Sequence, residues 1–238
     1  MLPKAERVDR SKEKQKLRVW IHGVPMSGKT HCADTAPMPL IINTDGNYKQ
    51  ITAPVISLGD SAEQIGRSTE KVFAKTNYEE IINEILADKT FETIVIDLLD
   101  DVYEMYREKS NFDLKVTHES DVKWGKGYEA IRKPFLSMIR NLCNIDKNII
   151  FISHTISEEI EMANGRKSMI YRPNLPQKVQ NKICGNVDFV YNACKTDDGY
   201  KLRIDNLDIG ALSGEGSRFK VKSNEIDNDW NSIVNNIL

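Results

Sequence analysis

The stretch RVWIHGVPMSGKTHCADT, residues 18–35, decides the fold. A short apolar run ends in Gly23, four residues separate it from Gly28, and Lys29 and Thr30 follow. Gly23-Val24-Pro25-Met26-Ser27-Gly28-Lys29-Thr30 therefore satisfies G-x-x-x-x-G-K-[ST] throughout. The glycines let the backbone curl so that successive N–H groups face inward at the head of a helix, where an anion can sit. With average residue usage, a chance match in a chain of this length is roughly a one-in-a-hundred event. The match also lies between a strand-like run, LRVWIHG, and a helix-like one, KTHCADTA, which Pro37 and Pro39 cut short. A bare glycine turn with an exposed lysine is the plain alternative. Lys29 is expected to reach β- and γ-phosphates and Thr30 to ligate Mg²⁺, with residues 23–31, His31 included, lining the nucleotide.

A phosphate loop of this kind needs a second Mg²⁺ anchor on a neighbouring strand. FETIVIDLLDD (91–101) supplies it, because a continuous β-rich run delivers Asp97 to the carboxyl end of a sheet, where ligands of open α/β folds bind. A helix-capping aspartate is the alternative, although Asp100 or Asp101 could take that part. The residue after Asp97 is Leu98, so no glutamate stands there to orient a water. Asp45 ends a second apolar run, PLIINTDGN. It is either a turn aspartate before Gly46 or an acid reaching the same sheet edge.

Further along, NYEEIINEILAD (77–88) places Tyr78, Ile81, Ile82 and Ile85 on one helical face. YEAIRKPFLSMIRNLCNI repeats that pattern with Ile131, Phe135, Met138, Ile139 and Leu142, and Pro134 is expected near an end or at a kink. KNIIFISHT (147–155) predicts another buried strand ending in Ser153-His154-Thr155. Residues 108–127 predict a polar loop, and 156–182 a long loop or partial helix. DFVYNACKTDDGYKLRIDN alternates about an Asp-Gly turn, which predicts a β-hairpin. DNDWNSIVNNIL predicts a short helix with Trp230, Ile233, Val234 and Ile237 inward. Strands alternating with helices give α/β with a mostly parallel sheet.

Composition bounds the rest. At 238 residues, 40% hydrophobic and 29% charged, the chain suits a soluble globular fold with a real core. No apolar run approaches the ~20 residues that cross a bilayer, and the N-terminus lacks the apolar centre of a secretory signal. A cytoplasmic location without a membrane partner is the expectation. Four cysteines at 32, 143, 184 and 194 lack metal-finger spacing, so reduced, buried filler is expected. A net charge of -2 excludes a wholesale nucleic-acid coat. Residues 1–18 carry seven Lys/Arg against three Asp/Glu, consistent with a basic, flexible segment over 1–16 ahead of one domain over 17–238.

GVPMSGKT, LIINTDGN, TIVIDLLDD, WGKGYEAIRKPF and NIIFISHT, in that order, resemble a RecA-type ATPase core over roughly residues 18–222. More narrowly, the chain resembles phage-encoded AAA/RecA-like P-loop ATPases of the single-strand annealing recombinase type. The resemblance implies a RecA-like P-loop NTPase core whose cofactors are ATP and Mg²⁺. It also implies DNA-stimulated ATP hydrolysis and annealing or recombination of single-stranded DNA. Partners would be single-stranded DNA, further copies of the chain with ATP at their interfaces, and a single-strand-binding protein. It casts Asp45 as the catalytic acid, an aspartate where the family has glutamate, and His154 as the sensor of the γ-phosphate. The segments 108–127 and 156–182 become DNA-facing, with Arg166, Lys167, Tyr171 and Arg172 as candidate contacts. Arg218 and Lys220 become candidates for acting on a neighbour's ATP; a basic strand edge is the alternative. Two other functions compete: a small-molecule kinase, for which no compact multi-arginine lid is evident, and a weakly hydrolysing switch for a replication or packaging partner.

Overall fold

The computed structural model describes residues 15–65, 68–161, 167–204 and 216–238. Most of the basic N-terminal segment, and Arg166, lie outside the described residues.

Apolar runs become the central strands. β1 (Arg18–Gly23), β2 (Pro39–Asn43), β3 (Val55–Ser57) and β6 (Thr93–Asp97) run parallel with β7 (Asn148–Glu161) and β9 (Phe189–Thr196) in one sheet. The strands between β3 and β6 are β4 (Ser61–Ile65) and β5 (Ser68–Val72), a separate antiparallel pair. Antiparallel strands extend the main sheet on one side: β10 (Gly199–Ile204) pairs with β9, and β11 (Glu225–Asp227) with β10. The spatial order is β11-β10-β9-β1-β7-β6-β2-β3. Thus β7 lies between the strand that enters the phosphate loop and the strand that ends in Asp97.

Parallel strands covered on both faces read as continuous apolar runs, and period-two alternation divides their side chains between two cores. Trp20, Ile94, Ile96 and Phe151 face one layer of helices. That layer holds α2 (Ala74–Ala87), α3 (Leu99–Leu114), α4 (Lys126–Cys143) and α5 (Gln177–Cys184). Val19, Ile21, Val95, Ile150 and Ile152 face the other, which holds α1 (Lys29–Asp34) and α6 (Trp230–Asn235). The result is a mixed α/β fold with a mostly parallel central sheet between helices, the layout of a P-loop NTPase-like fold.

Four expectations need correction. Residues 108–114 are the last turns of α3 rather than loop, and only two short 3-10 turns, Glu119–Asp121 and Lys123–Gly125, follow before α4. The apolar residues of this end, Phe112 and Leu114, are exposed and follow no helical stripe, so no buried face betrays it. Lys109 with Asp113, four residues apart, Arg107 with Glu119, and the ring contact of Phe112 with Phe73 hold it instead. Second, the described residues of 156–182 are mostly strand rather than loop: β7 continues to Glu161 and β8 (Lys167–Pro173) returns beside it, while α5 meets the partial helix expected at the far end. Cross-strand ion pairs, Arg172 with Glu158 and Lys167 with Glu159, stand where apolar alternation was sought. Third, Pro134 occupies the middle of α4, not an end, which leaves the kink as the alternative. The carbonyl it leaves without an intrahelical donor, that of Ala130, accepts from Ser110 Oγ on α3 at 3.4 Å. Fourth, Val234 is 44% exposed; α6 buries Trp230 and Ile233 only.

Parallel register aligns the carboxyl ends of the strands along one edge: Gly23 opposite His154, and Asn43 opposite Asp97. Beyond that edge β7 runs on, unbroken, into its pairing with β8. Among the described residues no helix is long and apolar enough to cross a membrane.

Candidate functional site

The site is assembled where β1, β6 and β7 end. Between β1 and α1 the loop turns through two left-handed residues, Met26 (φ 65°) and Gly28 (φ 86°). A Cβ on Gly23 would lie 2.4 Å from Ser27 Oγ and 2.7 Å from the Ala193 carbonyl, and one on Gly28 would lie 2.5 Å from Asn228 Nδ2. Sterics therefore require glycine at both ends of the motif. The first N–H groups of α1, from Lys29 onward, have no intrahelical partner. Ser27 Oγ is buried beside them without a hydrogen-bond partner in the described structure.

Lys29 is buried, and its ammonium folds back to donate to the carbonyls of Gly23 at 3.0 Å and Val24 at 2.9 Å. Burial lowers its pKa, an effect opposed by the carboxylates of Asp97, Asp100 and Asp45. Thr30 Oγ1 donates to Asp97 Oδ2 at 2.8 Å. Asp97 is 2% exposed, and burial pushes its carboxyl up to about 6. The Thr30 hydrogen bond opposes that shift, as do the nearby Lys29 and His154, while Asp45 adds to it. Val24 and Met26 stand exposed at the crest of the loop, and His31 is exposed on α1.

Asp45 lies two residues beyond β2, close enough to Asp97 for their charges to interact. Its carboxylate accepts from Asn43 Nδ2, from the Asn47 amide and from Asn47 Nδ2, each at 2.9 Å. Partial burial would raise its pKa, but these hydrogen bonds outweigh burial and hold it below the usual carboxylate range. Both oxygens thus accept from the turn.

His154, opposite Gly23, presents its ring beside the same carboxylates. Its Nδ1 donates to Asp100 Oδ2 at 2.9 Å, and its backbone N–H donates to Asp100 Oδ1 at 3.2 Å. Thr44 ties β2 to β6: it donates to Asp101 Oδ2 at 2.7 Å and accepts from the Leu98 amide at 2.9 Å.

The remaining candidates are elsewhere. Lys167, Tyr171 and Arg172 are on β8, where Tyr171 is exposed and both cations are paired with glutamates. Arg218 sits at the amino-terminal edge of the sheet, its N–H bonded to the Asp188 carbonyl just before β9. The six residues of β1 put roughly 17 Å between that edge and the phosphate loop. The Arg218 guanidinium donates to the carbonyls of Val187 and Gly185, both at 2.6 Å, closing the end of α5. Lys220 is exposed nearby in sequence.

Three contributors escape a reading of the sequence. Asp100 is visible there only as a capping candidate. Asn228 Nδ2 donates to the Gly28 carbonyl at 2.9 Å, and the ring of Tyr200 packs on the same glycine. The two hundred residues between Gly28 and Asn228 leave no local signal, since tertiary contacts bring them together: the added strands β10 and β11, and Trp230 of α6 bonded to Thr35 just after α1.

The donor set fits a nucleotide with its metal. A hydroxyl and a carboxylate are the hard oxygen ligands Mg²⁺ takes alongside phosphate oxygens and water. The glycine-lined cradle and the unpartnered Ser27 hydroxyl fit phosphate oxygens, and Lys29 brings a cation to them. No curated protein matches the chain. The sequence profile of the AAA domain family matches residues 15–208, a span that includes the loop, Asp97, His154 and the β7–β8 pair. The chain therefore belongs to the AAA domain family, whose members are P-loop ATPases.

Proposed function

We propose that this chain is a Mg²⁺-dependent ATPase with a RecA-like core, whose nucleotide state governs a grip on single-stranded DNA for annealing or recombination. The observation that carries this is the course of β7. The strand that bears His154 beside the nucleotide site continues without interruption into the projecting β7–β8 pair. Bound nucleotide with Mg²⁺ supplies the reactive phosphoryl group and a cation that neutralises its charge. Lys29, which donates to the Gly23 and Val24 carbonyls, would turn to phosphate oxygens instead. Thr30 and Asp97 would hold the metal and residues 23–31 the phosphates, with His154 as the group that would sense the terminal phosphate. Tyr171 and Met169, exposed on one face of the hairpin, offer a base-stacking surface. Lys167 and Arg172 offer phosphate contacts, which compete with Glu159 and Glu158. Self-association with ATP at the interface belongs to the same reading. Lys220 is then a freer candidate than Arg218 for reaching a neighbour's nucleotide, because the Arg218 guanidinium is engaged with α5. A cytoplasmic setting and an accessory single-strand-binding protein complete it.

Asp45 favours one second reading. With both carboxylate oxygens engaged by Asn43 and Asn47, it is poorly placed to orient a water, which suits a slowly hydrolysing ATP switch for a replication or packaging partner. ATP turnover with and without oligo(dT) separates the readings. The recombinase reading expects stimulation of about tenfold or more, whereas slow turnover indifferent to DNA supports the switch. Phosphate transfer to a nucleoside or nucleotide acceptor, with no DNA effect, would overturn both.

A further inference from the structure

We propose that Asp100 is the positioning residue that couples the nucleotide site to the β7–β8 hairpin. It rests on the ATP site of the reading above, but not on DNA as the hairpin's ligand. Asp100 is 5% exposed in the first turn of α3, three residues after Asp97. Its carboxylate gathers three donors: the His154 amide at 3.2 Å, His154 Nδ1 at 2.9 Å and Asn174 Nδ2 at 3.5 Å. The Asn174 amide in turn donates to the His154 carbonyl at 2.9 Å. His154 and Asn174 are the points at which the two legs of the hairpin meet the sheet: the pairing of β7 with β8 begins at Thr155 and Pro173, one residue beyond each. One buried carboxylate thus binds both feet of the hairpin to the helix that leaves the metal-site strand.

The chemistry gives this clasp a direction. An ionised carboxylate only accepts, so the Asp100 contact fixes the proton of the His154 ring on Nδ1 and leaves Nε2 for a group in the nucleotide site. A shift of the ring toward a phosphate then pulls on Asp100 and Asn174 together. The register of β7 is also pinned on the other side, where His22, the residue before Gly23, meets Thr155 Oγ1 at 2.8 Å through Nδ1. Movement at His154 is therefore passed to the hairpin feet rather than absorbed along the strand. Without Asp100, the ring keeps its place in the chain but loses its fixed orientation and its link to Asn174.

Hydrogen–deuterium exchange over residues 155–173 of the full chain, with and without Mg²⁺-ATPγS, tests the coupling. The wild type is expected to show slower exchange there when nucleotide is bound. Asp100→Asn, nearly isosteric, and Asn174→Ala, at an exposed position, should each lose most of that slowing. Affinity for a fluorescent ATP analogue should change by less than about threefold, with kcat for ATP down about tenfold and KM little altered. Nucleotide-dependent protection retained in both variants would overturn the inference while leaving the ATP site intact. Wild-type protein that binds nucleotide without any change in exchange over the hairpin would overturn it as well. Absence of nucleotide binding by the wild type would remove the ATP-site reading, and this inference with it. A failure to bind DNA would remove only the recombinase reading.

Discussion

Lys29→Ala is expected to lower ATP turnover by at least about a hundredfold, equivalent to about 2.7 kcal/mol of barrier. Among the described residues the ammonium is the one lysine charge buried against the phosphate loop, donating there to two loop carbonyls. Those bonds hold it at the mouth of the glycine cradle, where charge builds on the phosphates during transfer. Stability should respond far less. The two hydrogen bonds lost on truncation are offset by relief of the burial that lowers the Lys29 pKa. The thermal midpoint without nucleotide should therefore stay within a few degrees of the wild type. Phosphate release under saturating ATP, alongside a melting curve, measures both. Arginine at this position should not rescue, because its planar fork cannot reproduce a point charge in a lysine-sized slot.

Asp97→Asn is expected to raise stability and abolish function together. Burial lifts the Asp97 carboxyl to about 6 in the folded chain, above the ordinary 3.8. An acid whose folded pKa lies above its unfolded one penalises folding as pH rises: the penalty is absent below about pH 4 and complete above about pH 6. A shift of this size corresponds to about 3 kcal/mol at most. Asparagine removes the charge but keeps an oxygen to accept from Thr30. At pH 7.5 and without nucleotide, the variant should therefore melt several degrees higher than the wild type, and the difference should vanish by about pH 4. Adding Mg²⁺-ATP should reverse the order, because only the wild type gains a metal ligand by staying ionised, and turnover of the variant should fall at least a hundredfold. Scanning calorimetry across pH 4–8, with and without Mg²⁺-ATP, reads both effects. A variant no more stable than the wild type at pH 7.5 would mean that the Asp97 charge is not held at a cost. On the proposed function, stability is given up at this position for a charge that a bound metal would need.

The parts of this account legible in the sequence are those where chemistry and backbone pattern coincide. Gly23, Gly28, Lys29, Thr30 and the TIVID run to Asp97 declare themselves because close backbone approach, phosphate and metal each demand particular residue types at fixed spacing. Burial on both faces makes β1, β6 and the first half of β7 plain apolar runs. The second half of β7 and all of β8 are hidden for the opposite reason. They pair with each other beyond the sheet edge, half solvated, and carry Glu158, Glu159, Lys167 and Arg172 where a core strand would be apolar. The end of α3 is obscure for the same cause, since its Phe112 and Leu114 are exposed and lie on no core-facing stripe. The clasp made by Asp100 and the support of Gly28 by Asn228 are tertiary events with no local period to find. Asp45 was legible as an acid at the right edge, but its hydrogen bonds to Asn43 and Asn47 were not.

The central claim is that nucleotide at the Lys29–Asp97 site controls a grip on single-stranded DNA. Fluorescence anisotropy of a labelled oligo(dT), titrated with the full chain at fixed salt, tests it directly, since affinities for nucleic acid depend steeply on salt. The account predicts binding at least about tenfold tighter with Mg²⁺-ATPγS than with ADP or no nucleotide, and loss of that difference in Lys29→Ala. Equal affinity in all nucleotide states, or no binding in any, would contradict it.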